Sequence, residues 1–77
     1  MRRGDDVAEI KALMAGSVWK LHVSKGDSVE AGEELVILES MKMEIPISTD
    51  VGGVVEEIKV EEGSFVNEND PLLIVKE

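Results

Sequence analysis

The chain has no cysteine and no tyrosine, and its 77 residues include only one tryptophan, one phenylalanine and one histidine. Without cysteine it can form neither a disulfide framework nor a thiolate metal site, and it has no thiol nucleophile. Basic residues are also few, since 8 Lys and Arg face 17 Asp and Glu for a net charge of −9. This charge opposes binding to phosphate backbones and to anionic lipid, so we expect neither nucleic acid nor a membrane as a partner.

Long hydrophobic runs are missing as well. No apolar run approaches the ~20 residues that span a bilayer, and we therefore expect a cytoplasmic protein. The length allows one small domain at residues 7–77 behind a tail at residues 1–6. A core of this size leaves little room for an enclosed active site, and we find no nucleophile triad, phosphate-binding glycine loop or metal-ligand cluster. Met1 and a length close to that of one domain favour a stand-alone protein, which we expect to be a monomer.

What the chain does contain is an internal repeat, because residues 15–40 align without a gap with residues 52–77 and share seven identities. The identical pairs are Gly16 and Gly53, Val18 and Val55, Val23 and Val60, Gly26 and Gly63, Val29 and Val66, Leu35 and Leu72, and Ile37 and Ile74. They are glycines and core-type aliphatics, which chance matching would not select. The glycines at 16, 26, 53 and 63 are assigned to backbone geometry at structural turns.

Each half of the repeat is predicted to form a strand, a turn, a short strand, a second turn and a strand. The predicted strands are residues 18–23 and 35–38 in the first half and residues 54–60 and 72–75 in the second, with turns at 25–27, 30–33, 62–64 and 68–70. Pro71 lacks an N–H and is expected at a strand's first residue or on an edge. Residues 6–14 have helical apolar spacing, but they are short and uncapped, so we favour a strand. Two half-sheets that cannot bury their apolar faces alone predict an all-β, quasi-symmetric sandwich or flattened barrel.

The segment at residues 41–51 joins the two repeats and requires a chain reversal at Met41 and Lys42, followed by a strand at residues 44–47. A lysine at such a hairpin tip stands clear of the fold. Spacing alone also permits an ordinary solvated lysine, with methionines filling gaps at the end of the sandwich. Two features count against an ordinary surface lysine: the next basic residues are 17 positions away on both sides, and Met41 and Met43 flank Lys42. Neither feature identifies a chemistry.

The run Glu39-Ser40-Met41-Lys42-Met43-Glu44 resembles the biotinyl/lipoyl attachment domain family, whose biotin-type members carry a target lysine between two methionines. Residues 14–18, 25–29, 52–55 and 62–66 also look like recurring blocks of that family, and the resemblance covers about residues 9–76. Ser40 stands where alanine is more usual in the family. Residues 13–16 lack the proline that is frequent before the glycine at position 16.

By this resemblance the fold is a barrel-sandwich hybrid of two four-stranded antiparallel sheets with quasi-two-fold symmetry. The short distance from Val23 to Leu35 leaves no room for the protruding thumb of some carriers. The resemblance implies a non-catalytic biotin carrier, in which a biotin protein ligase joins biotin to Lys42. The biotin would carry CO2 as carboxybiotin between a biotin carboxylase and a carboxyltransferase.

Within this resemblance Met41 and Met43 would supply adaptable contacts to the ligase. Glu39 and Glu44 would supply a polar frame around the lysine, although they are equally well explained as solvated strand ends.

Two alternatives remain open. Lipoate could be attached to Lys42 instead of biotin, or in addition to it, but lipoyl-type domains usually have aspartate before the lysine and a small residue after it. The chain could also be an unmodified structural or interaction module, since the same fold occurs in parts of transporters. His22 alternates with apolar residues and is expected to face solvent rather than bind a metal. Trp19, whose repeat counterpart is Glu56, is either a partner contact or an edge-covering residue.

Overall fold

The computed structural model describes residues 7–77, and the predicted tail at residues 1–6 lies outside the described residues. The described chain is all-β. Its strands are β1 Val7–Lys11, β2 Gly16–Leu21, β3 Ser28–Val29, β4 Glu34–Ser40, β5 Met43–Ser48, β6 Gly53–Ile58, β7 Phe65–Val66 and β8 Pro71–Lys76. The strand favoured for residues 6–14 is confirmed as β1, and the other predicted strands are present with ends shifted by at most two residues. Pro71 opens β8, as its missing N–H predicts.

These strands form two four-stranded sheets, which we name by the order of their strands. Sheet A has the order β1-β8-β6-β3, and sheet B has the order β5-β4-β2-β7. Every neighbouring pair in both sheets is antiparallel. The architecture expected from the family resemblance is confirmed.

The two halves of the repeat exchange their short strands, which the repeat alone did not predict. β3 pairs with β6 of the second half, and β7 pairs with β2 of the first half. Equivalent hydrogen bonds fix both exchanges: the Gly26 N–H donates to the Val55 carbonyl at 2.7 Å, and the Gly63 N–H donates to the Val18 carbonyl at 2.7 Å. Neither half therefore forms a sheet by itself, and the expectation of two independent half-sheets is corrected.

The four glycines of the repeat have two different physical roles. Gly26 and Gly63 lie in turns with φ of 93° and 94°, which few other residues adopt. We expected Gly16 and Gly53 to lie in turns, but they are the first residues of β2 and β6. A Cβ at Gly16 would lie 2.7 Å from the Glu39 carbonyl oxygen, and a Cβ at Gly53 would overlap the carbonyl at position 76. These two glycines allow neighbouring backbones to approach closely.

The core lies between the two sheets and is entirely aliphatic. Its buried hydrophobic residues are Ile10, Ala12, Val18, Val23, Val29, Leu35, Val36, Leu38, Ile47, Val55, Val66, Leu72, Leu73 and Val75. Neither aromatic residue is among them, because Trp19 is 43% exposed and Phe65 is 67% exposed. The core is thus built by the repeated aliphatics, and the aromatic side chains are left for the surface.

Candidate functional site

Lys42 lies in the two-residue turn that joins β4 to β5 in sheet B. The strands are paired up to the residues on either side of this turn, Ser40 and Met43. Met41 and Lys42 have φ of 52° and 65°, so both central residues are left-handed, as a type I′ hairpin turn requires. Asn and Gly are the residues that this turn favours, and other L-residues hold the conformation at a cost of roughly 1–2 kcal/mol each. The predicted chain reversal is present in a strained form.

The side chains of this tip stand in solvent. Met41 is 91% exposed, Met43 is 63% exposed and Lys42 is exposed as well. The ion pairs found within residues 7–77 join Lys11 to Glu9 and Lys59 to Glu57, and neither of them involves Lys42. Methionines that were filling gaps in the core would be buried, so that interpretation of Met41 and Met43 is wrong.

Two carboxylates lie directly behind the turn. Glu39 in β4 and Glu44 in β5 are cross-strand partners, one step further from the tip than the pair of Ser40 and Met43, and both are exposed. Like charges directly opposite each other on neighbouring strands are destabilising. The structure thus brings all five predicted site residues together at one end of sheet B, where an acidic pair borders the lysine.

The amine is not enclosed by a pocket. A shallow groove of about 550 Å³ runs between the edge strands β1 and β5. It is lined by residues 8–11, 13, 46–48, 50 and 51 rather than by the turn. His22 is exposed, and no group of three or more potential metal ligands is present within residues 7–77. The same residues contain no helix long and apolar enough to cross a membrane, and the cytoplasmic location stays a prediction. What the arrangement can do is present one primary amine to another protein.

Comparison with known proteins identifies the type of domain. Residues 4–75 match the model of a protein family described as biotin-requiring enzyme, the biotin/lipoyl family. The chain belongs to this family. A biotin/lipoyl attachment protein of Bacillus subtilis is 62% identical over 64 residues, which are 83% of this chain and 88% of that protein. A Mycobacterium leprae homolog of the biotinylated protein TB7.3 is 37% identical over 67 residues, which are 87% of this chain and 94% of that protein.

The fold is shared with a domain of a large enzyme. The crystal structure of Kluyveromyces lactis urea carboxylase matches with a TM-score of 0.85 and 29% identity over 97% of this chain. The match covers only 7% of that carboxylase. Biotin/lipoyl attachment domains are carriers of a covalently bound group, so this chain is a carrier domain and not itself a catalyst.

Two features of the site were not predicted. Nothing in Met-Lys signals left-handed backbone, since Asn or Gly would be the usual signal for a type I′ turn. The exposure of Phe65 was not predicted either. Its repeat counterpart, Ser28, is a polar residue and could have indicated a surface position.

Proposed function

We propose that this attachment domain is a biotin carrier, in which biotin is joined through an amide to the Nζ of Lys42. The observation that carries the proposal is the exposed Lys42 amine on a left-handed turn, flanked by two exposed methionines. Strained backbone at an exposed tip costs stability and persists where it serves a function. Presentation of the amine to a modifying enzyme is a function that this conformation serves.

Amide formation requires an activated acid, which a biotin protein ligase would supply as biotinyl-adenylate. The lone pair of the deprotonated Nζ attacks the acyl carbon, the bond from that carbon to the phosphate oxygen breaks, and AMP leaves. The two protons lost by the original ammonium group pass to solvent or to the ligase. The domain's own contribution is to hold Lys42 clear of its surface, where the ligase can surround it.

Biotin is preferred to lipoate because of the residues beside the lysine. Met41 and Met43 fit the biotin-type pattern, and the Mycobacterium leprae relative is by name a homolog of a biotinylated protein. The name of the Bacillus subtilis relative covers both groups, so lipoate on Lys42 is the second candidate. An unmodified module is disfavoured, because a turn without a function would have no reason to keep two strained L-residues.

The loaded domain would serve a carboxylase. We propose that biotin held on Lys42 would supply an acceptor for CO2, and that Lys42 on its exposed turn would carry the group from a biotin carboxylase to a carboxyltransferase. The match to a domain within urea carboxylase supports this role. Tethering raises the effective concentration of the carried group at both sites, which is what a carrier with no active site of its own contributes.

The proposal is tested by intact mass after incubation with a biotin protein ligase, biotin and ATP. A mass increase of one biotinyl group, placed on Lys42 by fragmentation, is expected. An unchanged mass would remove the proposal, and so would a biotinyl group on another lysine, such as Lys25 in its exposed turn.

The turn residue Met41 offers a way to separate stability from recognition. Met41→Gly relieves the left-handed strain and is expected to stabilise the domain by about 1 kcal/mol, raising Tm by roughly 5 °C. The same change removes a 91% exposed, adaptable contact and is expected to raise KM for biotinylation. Thermal melting and steady-state kinetics measure the two effects.

Met43→Ala is the matched variant, because Met43 has no left-handed backbone to relieve. We expect a raised KM with a Tm close to that of the wild type. A large loss of Tm with unchanged kinetics in either variant would show that the methionines stabilise the fold and do not contact the ligase.

A further inference from the structure

Both aromatic side chains of the chain are exposed on sheet B. Phe65 is the cross-strand partner of Ser17, and Trp19 lies two residues after Ser17 in β2, at the bulge between Val18 and Lys20. In a regular ladder, residues in this diagonal relation are about 7–8 Å apart, within reach of aromatic rings. An all-aliphatic core next to an exposed aromatic pair is an unusual distribution, because aromatic rings carry large apolar area.

The repeat provides an internal comparison for this face. In sheet A the positions equivalent to Trp19 and Phe65 are occupied by Glu56 and Ser28, both exposed. The two sheets share their turns and strand exchange, so the fold itself does not require aromatic residues at these positions. Trp19 and Phe65 are specific to the sheet that carries Lys42.

A structural role as an edge cover does not account for Trp19. The free edge of β2 beyond the short β7 is already paired by the chain's own groups. The Val18 N–H donates to the Ser64 carbonyl at 2.7 Å, and the Leu21 N–H donates to the Glu62 carboxylate at 3.0 Å. The Lys20 Nζ lies 5.3 Å from the centroid of the Trp19 ring. Despite this contact, Trp19 is 43% exposed.

The aromatic pair is close enough to the lysine turn to belong to the same interface. Glu44, Glu39, Ser17 and Phe65 form one cross-strand row over the four strands of sheet B. Three strand spacings make this row about 14 Å long. A typical interface buries about 800 Å² on each partner, so a protein that surrounds the turn also covers this row.

We infer that Trp19 and Phe65 form a docking surface for the ligase that modifies Lys42, an inference that rests on the proposed function. The ligase must bring the Nζ atom of Lys42 to the adenylate that the ligase binds. Because the lysine side chain is short, the surface of the ligase must then contact sheet B. An enzyme that receives the loaded biotin reaches it at the end of a longer arm and needs no such contact. The ligase surface is therefore an apolar recess for the aromatic pair, with Arg or Lys facing Glu39 and Glu44.

Charge disfavours a second copy of the chain as the occupant. Each copy carries a net charge of −9, and pairing two copies through sheet B would bring two sets of Glu39 and Glu44 together. A basic partner instead gains from the acidic border, which favours fast and correctly oriented association. Aromatic residues of this kind are the usual energetic centres of interfaces.

The repeat also supplies the variants that test the inference. Trp19→Glu with Phe65→Ser places on sheet B the residues that sheet A has at the same positions. Val54→Ser is the matched control, since Val54 is 46% exposed on the outward face of sheet A and its counterpart is Ser17. We expect the double variant to raise KM for biotinylation at least about tenfold with kcat nearly unchanged, and the control to stay within about twofold.

A second measurement uses the unaltered fold. Because Trp19 is the single tryptophan, fluorotryptophan labelling gives one fluorine resonance. That resonance is expected to shift when unlabelled ligase is added together with a non-hydrolysable biotinyl-adenylate analogue. An unmoved resonance at saturating ligase overturns the docking surface, even if the double variant fails to fold.

The remaining outcomes separate this inference from the proposed function. Wild-type protein that is never biotinylated would overturn the proposed function. Normal modification of the double variant would overturn only the docking surface, and so would an equal rise in KM for Val54→Ser. Reduced carboxylation of the loaded double variant with unchanged ligase kinetics would assign the face to the receiving enzyme. Concentration-dependent dimers of the wild type would assign the face to a second copy. Either result would contradict the inference that the ligase docks there.

Discussion

A Lys42→Ala variant is expected to accept no biotin and to keep the stability of the wild type. The exposed side chain makes no ion pair or hydrogen bond within residues 7–77, so its removal leaves no group unsatisfied. Alanine also has a Cβ, so the strain at φ of 65° is unchanged. Intact mass should show no addition, and Tm should stay within about 4 °C.

Two further variants make this result specific. Lys42→Arg keeps the positive charge but removes the primary amine, and it should also remain unmodified. Lys25→Ala removes another exposed lysine in a turn and should be biotinylated at the wild-type rate. Biotin transferred to the Lys42→Ala variant, or a collapse of its Tm, would mean that Lys42 is not the exposed attachment point.

The second large effect concerns the fold that supports the turn. Gly53→Ala is expected to destabilise the domain by about 3 kcal/mol or more, because the new Cβ would overlap the backbone carbonyl at position 76. A backbone atom in a paired strand cannot move aside as a flexible side chain can. For a domain of this size the expected loss of Tm is about 15 °C, measured by thermal melting.

Gly63→Ala is the control for this prediction. Its Cβ would meet nothing within 4 Å, but φ is 94°, so only backbone strain of roughly 1–2 kcal/mol is added. Equal losses of stability at Gly53 and Gly63 would contradict the close-approach explanation. They would indicate that loss of glycine's conformational freedom alone accounts for both.

The repeat made most of the fold predictable. Strands and turns that are 37 residues apart follow the same pattern, and even the hydrogen bonds of the turns correspond. The Ser24 N–H donates to the Asp27 carboxylate at 2.8 Å, and its counterpart, the Glu61 N–H, donates to the Ser64 hydroxyl at 3.2 Å. The side chains differ, but each turn places an oxygen acceptor at the same position. Local turn chemistry of this kind is visible in sequence.

The exchange of β3 and β7 could not be predicted in the same way. Both strands have two residues with one buried valine, Val29 or Val66, and the alternation is the same whichever sheet they join. Partner choice depends on the packing of the two sheets, which is not a local property. The roles of Gly16 and Gly53 could not be predicted for the same reason, since a close approach of backbones involves residues distant in sequence.

The position of Lys42 at a hairpin tip was predictable, but the backbone geometry of that tip was not. The junction of the repeats and the run of residues 39–44 identified Lys42, and the resemblance supplied the chemistry. The left-handed backbone of Met41 and Lys42 has no signature in their residue types. Local propensity disfavours this conformation, and such departures are where prediction from sequence is expected to fail.

The departures from quasi-symmetry also fall in the sheet that carries the lysine. β1 and β8 pair as β5 and β4 do, yet the turn with Lys42 joins only the latter pair. Trp19 and Phe65 replace Glu56 and Ser28 in that same sheet. These differences lie on the sheet that carries both the proposed attachment point and the proposed docking surface.

The central claim is that Lys42 is a biotinylation site, and parallel modification reactions test it most directly. The purified domain is treated with a biotin protein ligase, biotin and ATP, and separately with a lipoate protein ligase, lipoate and ATP. Intact mass and fragmentation identify the group and its position. We predict a biotinyl group on Lys42, with kcat/KM at least about tenfold above that of lipoylation. Preferential lipoylation, modification of another residue or no transfer at all would contradict it.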